Sequence, residues 1–202
     1  MSEVVKYDLY HNYSSIWMDK LIHPSGRVTE LVNTNRLVKY YKGCDGGKTG
    51  STNEAGCCLS ASAKRDDLRL ISVIVGAPNS KTRFGECSEL FNYGFANFEI
   101  KKIVNNSEIV ANLPVTKGKV QNADLYARED YATIVKKGDN SDFEIKKDLP
   151  EKIKAGVKAD NAVGKIQVLK NGEVVKEIDI ISKNNIDKMS YLDTVHKIAE
   201  KW

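Results

Sequence analysis

Residues 44–52 read Cys-Asp-Gly-Gly-Lys-Thr-Gly-Ser-Thr, and within them Lys48, Thr49 and Gly50 place a cation, a hydroxyl and a residue without a side chain in a row. An apolar, β-branched segment precedes this stretch, and small and apolar residues follow it. The pattern predicts a strand here. Lysine attracts a carboxylate or phosphate, threonine donates a hydrogen bond, and glycine lets another backbone approach closely. The stretch therefore predicts an anion-binding site on a strand at a sheet edge.

Two known motifs compete for these residues. The phosphate-binding loop reads G-x-x-x-x-G-K-[ST], and Gly47, Lys48 and Thr49 match its end, but Lys42 stands where its first glycine should be. That loop also leads into a helix, whereas 50–56 has no apolar period and contains two glycines. The other motif is K-T-G of the penicillin-recognising serine enzymes, which works with S-x-x-K and S-D-N or similar elements. The sequence favours K-T-G.

The segments around K-T-G are more specific than the tripeptide itself. In chain order they read VNTNRL at 32–37, DGGKTGST at 45–52, EAG at 54–56, LSASA at 59–63 and RLISV at 69–73. Together they resemble the D-alanyl-D-alanine carboxypeptidases, the low-molecular-mass penicillin-binding proteins, in the form found in clostridia and bacilli. The resemblance covers essentially the whole chain, but it matches only the later part of that family's sequence.

The family's nucleophile motif is missing from this sequence. S-x-x-K supplies the acyl-accepting serine and its lysine base, yet no serine here is followed three residues later by lysine; Ser60 and Lys64 are four apart. An S-x-N spacing occurs at 51–53, but it lies inside the K-T-G segment and cannot be the separate second element. The resemblance is therefore to a carboxypeptidase that begins after its nucleophile, and we expect the chain to be inactive alone.

The resemblance assigns roles to five residues. Lys48 supplies positive potential at the reacting centre, and the Thr49 hydroxyl binds the substrate's terminal carboxylate. Gly50 belongs to the same substrate-binding strand, and the backbone N–H of Ser51 is half of the oxyanion hole. Arg83 matches the arginine that assists carboxylate recognition, a role that suits a guanidinium; its other interpretation is a solvent-exposed arginine just before a helix. We expect the side chains of Lys48, Thr49 and Arg83 to converge on one concave surface.

The resemblance also implies a function. In the complete enzyme, serine attacks the D-Ala–D-Ala bond of a pentapeptide stem during peptidoglycan maturation, and the terminal D-Ala leaves. The stem peptide lies along the K-T-G strand, and β-lactams bind at the same site. No cofactor is expected. The alternative is a non-catalytic, β-rich module that only binds or positions a partner, since the nucleophile is missing.

The cysteines do not predict a metal site. Cys44, Cys57, Cys58 and Cys87 form no C-x-x-C pair, and all three histidines lie far from them in sequence. Zinc ligands usually come at such short spacings. The cysteines are better interpreted as buried free thiols, which behave as small apolar residues.

Composition and charge exclude several classes of protein. With 41% hydrophobic and 29% charged residues, the 202-residue chain is typical of one or two soluble domains. The net charge of +4 is slight and its basic residues are dispersed, so nucleic acid is not an expected partner. The first eight residues are too short and charged for a signal peptide. By resemblance, the complete enzyme is extracytoplasmic and peripheral to the membrane; the compartment of this chain stays open.

We predict an α+β fold in three parts. Residues 1–99 are a remnant of a β-lactamase/transpeptidase-like α/β domain, an antiparallel sheet plus a helix. In it, 57–64 and 68–75 are predicted strands, and apolar residues recurring from Cys87 to Phe98 predict a helix that buries one face. Residues 100–182 form a small all-β domain, in which Asn-Gly at 171–172 predicts a hairpin. Residues 183–202 are predicted to form an amphipathic tail helix.

Two segments carry further expectations. Leu70, Ile71, Val73, Ile74 and Val75 form a nearly continuous apolar run, which predicts a strand buried on both faces under layers that this chain may not all supply. In the tail, apolar residues recur at three- and four-residue spacing over 186–202. That stripe is compatible with a helix lying on the membrane surface and equally with a plain terminal helix.

Overall fold

The computed structural model describes residues 1–139, 142–191 and 193, which form two compact units. The first comprises Met1–Ile100 and Val135–Lys137, and the second comprises Lys101–Ile134 and the described residues from Gly138 onward. The elements of the first unit follow a short 3₁₀ turn. They are, in chain order, α1 (Asp8–Ser14), β1 (Met18–Ile22), β2 (Val28–Val32), α2 (Leu37–Tyr40), β3 (Cys44–Thr52), β4 (Gly56–Arg65), β5 (Leu68–Ala77) and α3 (Ser80–Asn97).

An antiparallel sheet and one helix form the centre of the first unit. The strand order is β3-β4-β5, and α3 packs on one face of this sheet. The side chain of Asn79 caps α3 by accepting a hydrogen bond from the backbone N–H of Thr82 at 2.9 Å. Buried aromatic residues of α3 pack against small and apolar residues of the strands, among them Leu59, Ala61, Ala63, Ile74, Phe91 and Phe95. The predicted α+β fold is confirmed for this unit.

The prediction that β5 is buried on both faces is wrong. Ile71, Val73 and Val75 are 38%, 59% and 75% exposed. They alternate with buried residues such as Ile74, which face α3. Helix α3 covers only that one face, and no other layer covers the opposite face of β5 within the described residues. Leu90 of α3, expected in the core, is also half exposed.

Strands dominate the rest of the chain, as predicted. They are β6 (Phe98–Val104), β7 (Ile109–Thr116), β8 (Asn122–Ala127), β9 (Tyr131–Lys136), β10 (Phe143–Asp148), β11 (Ile153–Lys154), β12 (Ala162–Lys170) and β13 (Glu173–Ile181). Six of them form a sheet of order β10-β12-β13-β8-β7-β11. The predicted hairpin joins β12 to β13, and Asn171 and Gly172 both have positive φ, 53° and 85°, as a tight hairpin turn requires.

Several smaller expectations fail. The sequence predicts a loop or short strand up to residue 40, but the structure has the helical turn α2 there. The strand predicted at about 28–33 is present as β2, whereas its partner β1 has no predicted counterpart. Ile186, predicted on the apolar stripe of a tail helix, instead pairs with Val157 in an isolated bridge and is only 2% exposed. Met189, also on that stripe, donates its backbone N–H to the oxygen of Lys117 at 3.0 Å. The remaining residues of the stripe, within 192 and 194–202, lie outside the described residues. The membrane-surface role of the tail stays a prediction.

The helices of the described ranges include none that is long and apolar enough to cross a membrane.

Candidate substrate-binding site

The K-T-G residues lie on an exposed edge. In β3, Lys48, Thr49 and Gly50 pair with Ser60, Leu59 and Cys58 of β4. No strand pairs with the outer edge of β3 within residues 1–139, 142–191 and 193. That edge can therefore accept an extended peptide through main-chain hydrogen bonds.

A buried asparagine holds the start of β3. The side chain of Asn35 is 1% exposed, and its Nδ2 donates to the backbone oxygen of Gly46 at 3.2 Å. Its Oδ1 accepts from the backbone N–H of Leu37 at 3.2 Å. Leaving a buried polar group unpaired costs free energy. The bonds of Asn35 therefore stabilise the irregular segment between Cys44 and Gly46, where the pairing register shifts. Sequence reasoning missed Asn35, although it lies in the VNTNRL segment that carries the resemblance.

Gly47 is expected to tolerate no side chain. A Cβ there would lie 2.6 Å from the backbone oxygen of Ser60 and 2.9 Å from the Cα of Ala61, and its φ of +151° is one that other residues rarely adopt. We expect Gly47→Ala to lower the free energy of unfolding by roughly 2–4 kcal/mol, as measured by urea denaturation. Gly50→Ala is the control, since a Cβ at Gly50 meets nothing within 4 Å. Equal effects of the two substitutions would contradict the steric argument.

Thr49 and Arg83 lie on the same face of the sheet. Thr49 is opposite Leu59 in the β3–β4 pairing, and directly opposite residues share a face. Leu59 is buried against α3, the helix that carries Arg83. The Thr49 hydroxyl donates to the hydroxyl of Thr34 at 2.9 Å. Thr34 is a second residue that sequence reasoning missed.

The Arg83 guanidinium lies directly against the K-T-G strand. Its Nη1 donates to the backbone oxygens of Gly50 at 3.3 Å and Cys58 at 3.1 Å, and its Nη2 donates to the Ser80 hydroxyl at 3.0 Å. Arg83 is 7% exposed and is the fourth residue of α3, so the interpretation as an exposed arginine before the helix is wrong.

Arg83 has unused capacity to bind an anion. Its buried Nε has no hydrogen-bond partner, and no carboxylate among the described residues forms an ion pair with the guanidinium. Its neutral partners are two carbonyl oxygens and a hydroxyl. A buried cation without a counterion is costly, so an anion next to Gly50 would be stabilised.

Lys48 does not share the face of Thr49 and Arg83. Successive side chains point to opposite faces of a strand, and Lys48 accordingly lies on the face away from α3, where it is exposed. Its Nζ donates to the backbone oxygen of Thr49. The expectation that all three side chains converge on one surface is therefore wrong for Lys48. Ser51 is exposed on β3, opposite Cys57, near the end of the strand.

Polar contacts fix the start of β3 at Asp45. The Asp45 carboxylate forms an ion pair with Arg69 at 2.7 Å and lies 3.4 Å from the imidazole of His11. The Ser14 hydroxyl donates to the backbone oxygen of Asp45 at 2.7 Å. These contacts hold α1 and β5 against the strand that carries K-T-G. They were not predicted, because they join residues far apart in sequence.

All four cysteines are free thiols, two of them buried as predicted. Burial raises the pKa of Cys44 to about 11 and also raises the pKa of Cys87, because a thiolate is poorly solvated there. We expect iodoacetamide at pH 8 to alkylate Cys57 and Cys58 in the native protein and to spare Cys44 and Cys87 until urea unfolds it, since the thiolate is the nucleophile. Peptide mapping by mass spectrometry measures this; rapid labelling of Cys44 in the native state would contradict it.

The described part of the chain contains no group of three or more His, Cys, Asp or Glu side chains that could hold a metal ion.

Comparisons with known proteins agree with this architecture. The family model for D-alanyl-D-alanine carboxypeptidase matches residues 1–79, and that for the C-terminal domain of penicillin-binding protein 5 matches residues 98–188. D-alanyl-D-alanine carboxypeptidase DacF of Bacillus subtilis is 31% identical over 202 residues, which are 99% of this chain and 52% of DacF. DacC of Escherichia coli is 30% identical over 165 residues, 81% of this chain and 41% of DacC.

A solved structure shares the fold. Penicillin-binding protein 5 from Haemophilus influenzae superimposes with a TM-score of 0.65 and 26% identity, over 92% of this chain and 53% of that one. Over the part that it spans, the chain matches the D-alanyl-D-alanine carboxypeptidases, which confirms the resemblance. It spans about half the length of the curated relatives it matches.

Proposed function

We propose that the K-T-G edge binds the D-Ala-D-Ala terminus of a peptidoglycan stem peptide, as the substrate-binding half of a D-alanyl-D-alanine carboxypeptidase. The observation that carries the proposal is the buried Arg83 guanidinium, which contacts the backbone of Gly50 on the Thr49 face and lacks a carboxylate partner among the described residues. A terminal carboxylate supplies that missing anion. The penultimate residues of the peptide add to the free edge of β3.

The roles of the site follow from this placement. Thr49 and Arg83 hold the carboxylate, and the backbone N–H of Ser51 donates to the oxygen of the scissile carbonyl. A serine from an S-x-x-K segment, which this 202-residue sequence does not contain, would attack that carbonyl. The peptide C–N bond breaks, the leaving D-Ala takes up a proton, and water later hydrolyses the acyl-enzyme. Lys48, on the other face of β3, supplies positive potential to the attacking group.

The name of one structural relative supports the proposal that β-lactams are further ligands. The structural relative is called a penicillin-binding protein, and we propose that β-lactams with a carboxylate use the same Thr49 and Arg83 contacts. Peptidoglycan lies outside the cytoplasmic membrane, so the proposed substrate also favours an extracytoplasmic location. A non-catalytic binding module is the second candidate, and the absence of S-x-x-K from the sequence favours it.

Thr49→Val tests the carboxylate contact. Valine keeps the shape of threonine but removes the hydroxyl, a loss of about 1.5–3 kcal/mol for a hydrogen bond to a charged partner. We expect the affinity for a peptide ending in L-Lys-D-Ala-D-Ala to fall on the order of tenfold to a hundredfold, measured by NMR titration of the backbone amides of β3. The same peptide with a C-terminal amide is the control and should bind both proteins equally weakly. Unchanged affinity of Thr49→Val for the acid form would contradict the assignment.

A further inference from the structure

A large open cavity borders the proposed carboxylate site. Its volume is about 570 Å³, which is ordinary for a small-molecule site. Three segments of the first unit form its walls: the residue before β1, the segment 32–40 and the start of α3. The side chains that matter here are those of Trp17, Thr34, Arg36, Tyr40, Ser80 and Phe84. We call this space the Trp17 cavity.

The Trp17 cavity shares walls with both carboxylate-binding groups. Thr34 lines it and accepts the hydrogen bond from the Thr49 hydroxyl at 2.9 Å. Ser80 also lines it, and its hydroxyl accepts from Nη2 of Arg83 at 3.0 Å. A carboxylate held by Thr49 and Arg83 therefore lies beside the cavity. In a peptide, the carboxylate and the side chain of the last residue are attached to the same Cα atom, so that side chain is the part of the ligand that can enter.

The walls of the Trp17 cavity suit a larger side chain than that of alanine. The methyl group of a terminal D-Ala fills only a small part of such a space. Three aromatic rings line it, those of Trp17, Tyr40 and Phe84. The first two already form an edge-to-face pair, with ring centroids 6.0 Å apart and an interplanar angle of 66°. Aromatic rings attract one another in this arrangement, so a further ring entering the cavity finds matching partners.

The charges around the Trp17 cavity are positive. Arg36 lines it, and Lys81 lines an adjoining cavity of about 400 Å³ that shares Arg36 and Tyr40 with it. The Nζ atom of Lys39 lies 5.3 Å and 5.4 Å from the ring centroids of Trp17 and Tyr40. Among the described residues, neither lining includes Asp or Glu. A cationic side chain is therefore disfavoured, whereas the face of an aromatic ring attracts cations.

We propose that the Trp17 cavity binds an aromatic side chain on the last residue of the stem peptide, the residue that would leave. The site then takes stem peptides in which an aromatic D-amino acid stands in place of the terminal D-Ala. The inference rests on the proposed function, because Thr49 and Arg83 hold the carboxylate of that same residue. The cavity determines specificity only, since the peptide bond that breaks and the groups that act on it are unchanged.

The test compares two peptides that differ only in their last residue, L-Lys-D-Ala-D-Phe and L-Lys-D-Ala-D-Ala. NMR titration of the β3 amides of the 202-residue chain measures both affinities. We expect the D-Phe peptide to bind more tightly by about tenfold or more, because the phenyl group is removed from water. The indole N–H resonance of Trp17, identified by its loss in Trp17→Phe, should shift with the D-Phe peptide and stay in place with the D-Ala peptide.

Tyr40→Ala removes one aromatic wall of the cavity. Tyr40 is 70% exposed, so its truncation leaves the core intact. The affinity for the D-Phe peptide should fall about fivefold, since one ring contact is lost, and the affinity for the D-Ala peptide should not change. Tyr93→Ala on α3 is the matched control, because Tyr93 is 61% exposed and lines neither cavity. It should bind like wild type, and urea unfolding confirms that each variant folds.

Three results would overturn the inference. The first is equal affinity for the D-Phe and D-Ala peptides, and the second is a preference for D-Phe that Tyr40→Ala leaves unchanged. The third is tighter binding of a peptide ending in D-Glu than of the D-Phe peptide, which would assign the cavity to an acidic side chain.

Thr49→Val separates this inference from the proposed function. If it weakens binding of the D-Ala peptide while wild type binds both peptides equally, the carboxylate site stands and only the aromatic subsite is refuted. If it weakens binding of neither peptide, the carboxylate assignment is refuted. A preference for D-Phe would then arise at a place unconnected with Thr49, and the inference is refuted as well.

Discussion

The 202-residue chain alone is expected to gain no mass when it is incubated with penicillin. Acylation requires a serine Oγ to attack the β-lactam carbonyl while a base takes its proton and the ring C–N bond opens. The sequence has no S-x-x-K that would provide this pair. Carboxylate contacts at Thr49 and Arg83 can hold the ligand but cannot replace a nucleophile. Intact-protein mass spectrometry after incubation is the measurement, and a stoichiometric penicilloyl adduct would contradict the expectation.

Ser60 provides the control for this experiment. It is the serine directly opposite Lys48, so it is the hydroxyl that β4 places nearest to that cation in the pairing. Wild type and Ser60→Ala should both remain unmodified. An adduct on the wild type that is lost in Ser60→Ala would instead identify a nucleophile within this chain. Penicillin-binding protein 5 from Haemophilus influenzae, labelled under the same conditions, shows that the reagent is active.

Local sequence patterns were sufficient to predict most of the helices and strands, but not what packs against them. The strands at β4 and β5, helix α3 and the β12–β13 hairpin all follow from periodicity or turn residues, and the structure contains them. The apolar run of β5 correctly indicated a strand, but the prediction that this strand is buried on both faces is wrong. Its exposure could not be predicted, because exposure depends on what packs there and not on the strand itself. The β1–β2 hairpin has exposed apolar residues and gives no clear alternation.

Long-range contacts explain why the predicted tail helix does not begin at Ile186. The spacing of apolar residues after Asn185 is that of a helix, yet Ile186 pairs with Val157 and is buried in the core of the second unit. Periodicity carries no information about a strand-like contact with a segment almost thirty residues earlier. Tertiary packing has overridden local preference here.

The site was predictable in its residue types and only partly in its geometry. K-T-G was found from the sequence, and the resemblance located Arg83. In a strand, the side chains of adjacent residues such as Lys48 and Thr49 point to opposite faces. The prediction of a strand at K-T-G was therefore incompatible with the prediction that both side chains lie on one surface. Thr34 and Asn35 support the site through side-chain hydrogen bonds. In the sequence, both residues appear only as part of a short polar segment ahead of β3. Without coordinates, such a segment cannot be distinguished from an ordinary turn.

We expect Arg83 substitutions to have the largest effect on ligand binding. Arg83→Leu removes the guanidinium and leaves the substrate carboxylate facing the Gly50 backbone oxygen without a cation. Breaking a buried ion pair by removing one partner costs about 3–5 kcal/mol, so the affinity for a peptide ending in D-Ala-D-Ala should fall by roughly a hundredfold or more. Arg83→Lys keeps the charge but not the planar fork, and a lower loss, on the order of tenfold, is expected. NMR titration of the β3 amides measures both.

The structural role of Arg83 must be separated from this effect. Its bonds to Gly50, Cys58 and Ser80 tie α3 to the sheet, so Arg83→Leu will also lower the free energy of unfolding. Binding is therefore compared for the acid and amide forms of one peptide on the folded fraction of each variant. If the role of Arg83 is purely structural, its substitution lowers the affinity for both peptide forms equally, because the sheet edge itself is disturbed. A carboxylate-binding arginine affects the acid form alone, and an unchanged ratio of acid to amide affinity in Arg83→Leu would remove Arg83 from the site.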